Sequence, residues 1–450
     1  MENVEIRNKR KSFWIIWAGQ FASILGSAIS SFGISIWILN HSEDTRTFAI
    51  TFLFQLLPGI IFAAWAGSLA DRHSRKKIML IADSLDVVLK LLILYFILTD
   101  SLSVYIVYPF MFLSATCSVF QGPALDASIP NIVDKEYIPT ANGSMQLIMA
   151  VQAIVAPITA SLLYPIGGLK YLFILDFCTY TIGILTLLSQ EIPQSFEENI
   201  QEQKGSRLQD LKESYLYLKE KSGFVTMLIA FSFFNFFANL CLTLLGPMVM
   251  SIANEQAYGY VNAAGGLGMI AGAALTSIFP AKTEVVRKVA RALLVSALGM
   301  FIIGIKPLWY IVALGFFVFM VPVPYTNGSL TSLIHRKIPS EKLGRVGAVM
   351  NLFLRVTQPL AVVLSYKFAD EIFNPLMRIE GPMDGSFIGN LIGVGPHRGV
   401  ALMIIICGAI LGLLCIYLLN NQLVLSMEER LPDVDNTQTE FDSEKDNSLI

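Results

Sequence analysis

The segment Gly67-Ser-Leu-Ala-Asp-Arg-His-Ser-Arg-Lys-Lys77 follows one apolar run, at 48–70, and leads into another, at 78–98. Each run has the length of about 20 residues that an α-helix needs to cross a hydrocarbon core of roughly 30 Å. The segment that joins them is short and basic, which is typical of a loop between two membrane-spanning helices. We therefore predict that the chain is built from membrane-spanning helices.

The composition of the whole chain supports this interpretation. Hydrophobic residues make up 54% of the 450 residues and charged residues only 15%, whereas soluble domains carry roughly 25% charged residues. Several soluble domains are therefore excluded, and we predict an all-α integral membrane protein with twelve transmembrane helices. The predicted spans are 13–39, 48–70, 78–98, 103–123, 141–165, 170–190, 223–250, 258–279, 289–305, 308–331, 346–366 and 398–420.

A long charged connection divides these spans into two groups of six. The two groups share a weak internal similarity between Pro157–Tyr164 and Pro359–Tyr366, as expected for two pseudo-symmetric halves. We predict a six-helix half at 1–190, a cytoplasmic linker at 191–222, a second half at 223–420 and an acidic, disordered cytoplasmic tail at 421–450.

The distribution of basic residues predicts the orientation. An even number of spans places both termini on one side, and cytoplasmic loops carry an excess of Lys and Arg. With cytoplasmic termini, few of the 32 basic residues fall in external loops: Arg46, Lys170, Lys306, Lys367, Arg378 and Arg398. We predict a multi-pass protein of the cell membrane with both termini in the cytoplasm.

The loop at 67–77 resembles the signature loop of the major facilitator superfamily, a glycine followed by leucine, aspartate, arginine and a basic cluster. The resemblance implies a conformational switch in which the glycine allows two helices to pack closely and the charged residues clasp the two halves together. The matching positions are Gly67, Asp71, Arg72 and Arg75. Ser74 stands where the family usually has a second glycine, so the tight turn there is not implied.

Further short motifs resemble the bacterial macrolide-efflux and siderophore-exporter branch of that family. They are Trp17-Ala-Gly-Gln20, Pro123-Ala-Leu125 and Leu343-Gly-Arg-Val346. The resemblance implies a secondary carrier that exports a hydrophobic or amphiphilic compound by alternating access, with proton antiport as one means of coupling. Many proton antiporters of this kind carry an arginine in the fourth helix, but no Lys or Arg occurs between Ser101 and Asp134.

We place four charged residues well inside spans: Asp83, Asp86, Lys90 and Arg355. Such residues are costly at membrane depth and are therefore candidates for coupling. Asp86 and Lys90 are four residues apart on one helical face, so a purely structural pair that neutralises itself is the alternative. Because a nearby cation keeps a carboxylate ionised, Asp83 is the predicted proton carrier. We expect Arg355 to face the cavity or a carboxylate of another helix.

The resemblance also implies that the first, fourth, seventh and tenth helices line a substrate cavity. Polar residues in these helices otherwise join helices together. A wall rich in Phe with few polar anchors suits an amphiphilic cargo better than a sugar. The candidate cavity residues are Gln20, Gln121, Asn235, Asn239, Tyr325 and Asn327.

Other functions were weighed against drug export. One alternative is a carrier of the same fold that imports or exports a metabolite or siderophore. The other is a membrane protein that does not transport, such as a receptor, a regulator or an enzyme. The sequence contains no Gly-x-x-x-x-Gly-Lys-Ser/Thr phosphate loop and no His-Glu-x-x-His motif. We expect a monomer in the lipid bilayer with small-molecule cargo and no enzyme activity, cofactor, metal or nucleic-acid partner; protons are the candidate coupling ion.

Overall fold

The computed structural model describes residues 2–42, 44–192, 223–279 and 283–430, together with Leu216 and Leu218. This part of the chain is helical and contains no strand. Most of the predicted linker and most of the predicted tail lie outside these described residues. The main helices are α1 (Glu2–His41), α2 (Thr45–Ile61), α3 (Ala63–Arg72), α4 (Arg75–Leu98), α5 (Val104–Ile132), α6 (Ile138–Ser189), α7 (Phe224–Ile252), α8 (Glu255–Ile278), α9 (Val285–Ile305), α10 (Trp309–Met320), α11 (Pro322–Lys337), α12 (Ser340–Phe368) and α13 (Arg398–Asn420).

Each predicted span is occupied by helix. Within the described residues, eight helical stretches are long and apolar enough to cross a membrane, and α2 with α3 forms a ninth span bent by 50°. Helix α6 has 52 residues and covers both the fifth and the sixth predicted spans, which are separated by a kink where Gly168 has φ 59° and ψ −159°. Helices α4 and α12 contain the remaining two spans and carry the charged residues predicted there. The predicted helical membrane fold is confirmed.

The turn between α3 and α4 forms without a glycine at position 74. Ser74 lies at φ −56°, which any residue adopts, and its hydroxyl accepts a hydrogen bond from the backbone amide of Lys77. Serine is a favoured N-cap residue because its side chain satisfies an amide that the first helical turn leaves free. The departure from the family pattern at this position therefore replaces the glycine turn with a capped helix.

The helices pack into two groups that meet along two seams. In the first group α1 packs on α6, and α5 packs on α2 and α4; in the second, α9 packs on α10 and α13, and α8 on α10. Between the groups, α6 packs on α8 and α2 on α12. The α6–α8 seam is tight, since a Cβ added at Gly259 would lie 2.0 Å from the hydroxyl oxygen of Ser161. Glycine is thus required for this close approach.

Helix α4 turns its charged face inward. Its exposed residues include Lys77 and Ser84 together with an apolar and aromatic face that recurs at helical spacing, whereas Asp83, Asp86 and Lys90 on the opposite face are buried. A membrane helix is expected to have this arrangement because hydrocarbon solvates apolar side chains and not ionised ones. The charges of α4 are therefore between helices and not at the lipid surface. The exposed face consists of Ile81, Leu85, Val88, Leu92 and Tyr95.

The segment between α12 and α13 is folded. It contains a π-helical turn at Ala369–Phe373, a helical turn at Asn374–Leu376 and a short helix at Phe387–Ile392. Arg398, at the start of α13, is buried and donates hydrogen bonds to the backbone carbonyls of Gly304 and Ile392. This arginine therefore fixes the segment against the end of α9.

Candidate functional site

Lys90 is the centre of a buried ionic cluster. Its Nζ lies 3.0 Å from Oδ2 of Asp86, one turn earlier on α4, and 2.9 Å from Oδ1 of Asp176 on α6. It also donates a hydrogen bond of 2.7 Å to the hydroxyl of Ser27 on α1 and lies over the ring of Tyr180. The side chains of Lys90 and both aspartates are at most 2% exposed. The cluster therefore joins three helices of the first half through one amine.

Asp176 was missed by the sequence analysis, which placed only four charged residues well inside spans. It lies within the predicted span 170–190 in the run Leu-Phe-Ile-Leu-Asp-Phe-Cys, and it is fully buried. Its Oδ2 accepts a hydrogen bond of 2.5 Å from Ser30. The signal was available, since a lone carboxylate in an apolar run is a functional candidate by default. The predicted Asp86–Lys90 pair is present, but it is part of a larger group.

Asp83 lies apart from the amine. Its Oδ1 accepts a hydrogen bond of 2.7 Å from Nε2 of Gln121 on α5, and the same nitrogen donates to Oε1 of Gln20 on α1 at 2.9 Å. Asp83 makes no ion pair with any residue of the described part of the chain, and its side chain is buried. The buried group thus holds three carboxylates and one amine.

A cavity of about 620 Å³ lies between the two halves. Its wall combines aromatic rings with hydroxyl and amide groups, and none of its lining residues in the described chain is Asp, Glu, Lys or Arg. Such a mixture suits a largely apolar ligand that carries a few hydrogen-bonding groups. The aromatic residues are Phe32, Phe48, Phe52, Tyr180, Tyr258 and Phe316, and the amides are Gln55, Gln121, Gln152 and Asn262.

Three side chains connect this cavity to the buried charges. Ser27, Gln121 and Tyr180 line the cavity, and each also contacts the charged group from the other side, at Lys90 or at Asp83. A ligand in the cavity and a charge behind its wall can therefore influence each other through a single layer of side chains.

A second cavity of about 650 Å³ lies nearer the side on which α1 begins. Two of the predicted cavity residues, Asn235 and Asn327, line it together with Arg355. Of the other predicted cavity residues, Gln121 lines the central cavity, whereas Gln20 and Asn239 are buried among helices. Tyr325 is not among the residues that line either cavity.

Arg355 connects the two halves. Its Nη1 donates a hydrogen bond of 2.8 Å to the backbone carbonyl of Gly59 on α2. The helix is interrupted at Phe62, just beyond this point, and carbonyls near the end of a helix need partners from outside it. The guanidinium thus caps the bend between α2 and α3, and its partner is a backbone carbonyl where a carboxylate was one expectation.

The signature loop is disengaged in this structure. A Cβ added at Gly67 would meet nothing within 4 Å, so no helix packs closely there. Asp71 and Arg72 are exposed and make no ion pair with the described residues. Arg75, in contrast, donates a hydrogen bond of 2.6 Å to the carbonyl of Ala127 and ties the loop to the end of α5.

Comparisons with known proteins agree with this architecture. The family model described as Major Facilitator Superfamily matches residues 16–362. Macrolide efflux protein A of Streptococcus pyogenes is 26% identical over 375 residues, which are 81% of this chain and 91% of that protein. The crystal structure of the nucleoside transporter NupG superposes with a TM-score of 0.66 at 14% identity, over 92% of this chain and 100% of that one. An inward-facing bacterial homologue of the lysosomal transporter Spinster superposes with a TM-score of 0.64 at 11% identity, over 95% and 98% of the two chains.

Proposed function

The chain belongs to the major facilitator superfamily of transporters, and from this premise we propose that it exports a hydrophobic or amphiphilic small molecule in exchange for protons. The observation that carries the proposal is the central cavity, which lies between the halves and is lined by aromatic and uncharged polar residues. Similarity to Macrolide efflux protein A favours export of a macrolide-like compound. A strongly charged cargo is disfavoured because no lining residue of the described chain carries a charge to balance it.

On this proposal, the structure is that of an inward-facing carrier, which lies in the cell membrane with both termini in the cytoplasm. The halves are in close contact along α6 and α8, where Gly259 meets Ser161. The second cavity lies on the side that holds the termini. Transport would then proceed by rocking of the halves about the central cavity, as in other carriers built from repeats. The signature loop, which is disengaged here, would clasp the halves in the alternative state.

Proton exchange is assigned to the buried carboxylates. The buried group holds three carboxylates and one amine, and an excess of negative charge away from water is neutralised when a carboxylate binds a proton. Asp86 and Asp176 share Lys90, whereas Asp83 has only amide partners. Asp83 is therefore the proton carrier in this proposal, and Asp86 and Asp176 hold the three helices of the cluster together.

Everted membrane vesicles test the proposal. Vesicles from cells that express the chain should accumulate a radiolabelled macrolide such as erythromycin when respiration acidifies their interior, and a protonophore should abolish accumulation. Vesicles without the protein provide the control. Accumulation that resists the protonophore would exclude the proton as the coupling ion. Accumulation only in right-side-out vesicles would favour import of a nutrient or metabolite. Failure of a full panel of macrolides, dyes and siderophores in both orientations would contradict transport of this class.

A further inference from the structure

Among the described residues that line the central cavity, Gln121 is the one that hydrogen-bonds Asp83. It lines the cavity, and its amide nitrogen donates hydrogen bonds to Oδ1 of Asp83 and to Oε1 of Gln20. Both hydrogens of that nitrogen are thus used by groups behind the wall. The carbonyl oxygen of the same amide has no hydrogen-bond partner among the described residues, so it is available to a ligand in the cavity.

The orientation of this amide depends on the protonation of Asp83. An ionised carboxylate only accepts hydrogen bonds, and it therefore holds the nitrogen of Gln121. A protonated carboxyl group has an O–H to donate, and the amide satisfies it by rotating so that its oxygen faces Asp83. Rotation about this terminal torsion meets only broad, shallow minima. The side chain then presents its NH₂ group to the cavity in place of its oxygen.

We propose that Gln121 couples cargo binding to Asp83 by this amide rotation, and that the cargo places a protonated amine, which donates hydrogen bonds and accepts none, against its oxygen. The proposal rests on the function proposed above and specifies the chemical class of its cargo. A donor-bearing cargo fits the ionised form of Asp83 and is rejected by the protonated form. Because the coupling is reciprocal, bound cargo expels the proton and a bound proton expels the cargo, which is the sign that antiport requires.

Asp83 responds to more than Gln121. The titratable and charged groups around it are Asp86 and Lys90 on its own helix, Cys117 on α5, and Asp176 and Tyr180 on α6, while α1 contributes the uncharged Gln20. Of the polar partners closest to Asp83, only Gln121 also lines the cavity. The amide of Gln121 therefore gives cargo a hydrogen-bonded connection to this carboxylate.

The test uses purified full-length protein in detergent, with erythromycin as the probe because it carries a basic amine. Binding affinity and proton release on binding are measured together in weakly buffered solution. The wild type should bind more tightly as pH rises and should release protons. Gln121→Met, which keeps the length of the side chain without its amide, should weaken binding roughly tenfold, release no protons and bind with an affinity that no longer depends on pH.

Gln152→Met is the matched control, since Gln152 lines the same cavity and has no hydrogen bond to the charged group in the described structure. Its affinity should fall, but each bound molecule should release as many protons as in the wild type. Gln121→Asn retains the amide on a shorter side chain and should behave as Gln121→Met. The same result in two different variants guards against a folding defect in either one. Proton release that survives in both Gln121 variants overturns the inference alone; failure of the wild type to bind the probe panel contradicts the proposed function.

Discussion

The amine of Lys90 lies 2.9 Å from the carboxylate of Asp176, a partner 86 residues further along the chain. Because the same amine bonds Asp86 and Ser27, α1, α4 and α6 are held together at membrane depth by one cation. In hydrocarbon each of these charges alone would cost several kcal/mol. The cluster is therefore both a structural centre of the first half and the neighbour of the proposed proton carrier.

Stability of the cluster should depend on Lys90 more than on either of its partners. Lys90→Gln leaves two carboxylates without a cation, and removing one partner of a buried ion pair costs about 3–5 kcal/mol. Asp86→Asn should be milder because Lys90 keeps Asp176. Thermal unfolding of the detergent-purified variants measures both effects.

Two further variants control this comparison. The double variant that combines Lys90→Gln with Asp86→Asn should be more stable than Lys90→Gln alone. It leaves only Asp176 without the cation, and Asp176 retains its hydrogen bond from Ser30. Lys77→Gln, at an exposed lysine of the same helix, should leave the melting temperature unchanged. Equal destabilisation by Asp86→Asn and Lys90→Gln would contradict the shared role of Asp176.

The orientation predicted from basic residues can be tested by labelling single cysteines in a variant without the five native ones. His73 lies in the signature loop and Asn390 in the segment before α13, and both are exposed. A membrane-impermeant maleimide should label Asn390→Cys in intact cells and His73→Cys only after permeabilisation. Labelling of His73→Cys in intact cells would reverse the proposed topology.

Asp71→Asn should reduce transport while equilibrium binding of cargo stays within several-fold of the wild-type value. The proposed clasp changes the balance between two states and does not contact the cavity. Radioligand binding and vesicle transport, measured on the same preparation, separate the two effects. A parallel loss of binding and transport in a folded protein would show that Asp71 is not a conformational switch.

Gly67→Leu provides a companion to this variant. The space beside Gly67 is open in this structure, so the leucine should not impair folding in the inward-facing state. It should block the close approach of helices in the alternative state and reduce transport at least tenfold, with Gly67→Ala less affected. Normal transport by Gly67→Leu would argue against closure at this position.

The bond from Arg355 to Gly59 should stabilise the inward-facing state. Because this bond is exposed, it should contribute about 1 kcal/mol, so Arg355→Met should lower the equilibrium constant in favour of this state about fivefold. A cysteine at Thr331, which lines the second cavity, should then react more slowly with a soluble maleimide. Arg355→Lys keeps the charge without the planar guanidinium, and the reactivity of the cysteine in this variant should lie between those in the wild type and in Arg355→Met. Unchanged reactivity in Arg355→Met would contradict a role of this bond in stabilising the inward-facing state.

The helices could be predicted from the sequence, but the contacts between distant helices could not. Apolar runs predicted every span because length and hydropathy are local properties, and the i to i+4 spacing predicted the pair of Asp86 and Lys90. The bend at Phe62 was not predicted, although the helix breakers Pro58 and Gly59 lie four and three residues before it. Asp176 was overlooked within an apolar run, and its bond to Lys90 depends on how distant helices pack, which no local pattern records.

The candidate site shows the same division. Arg355 was identified from its charge within a span, and Gln121 from the family pattern that places the fourth helix at the cavity. Their roles follow only from three-dimensional contacts: Gln121 donates to Asp83, and Arg355 bonds the opposite half. The assignment of Gln20 and Asn239 to the cavity wall followed the family pattern, whereas in this structure both are buried between helices.

Gradient-driven export by Asp83→Asn tests the central claim most directly. In proteoliposomes with an imposed pH gradient, wild-type protein should accumulate erythromycin against its concentration gradient. Asp83→Asn cannot release a proton and should fail to do so, yet it should exchange internal for external erythromycin at a rate similar to that of the wild type. Proton-driven accumulation by Asp83→Asn at the wild-type level would contradict the account and remove Asp83 from the mechanism.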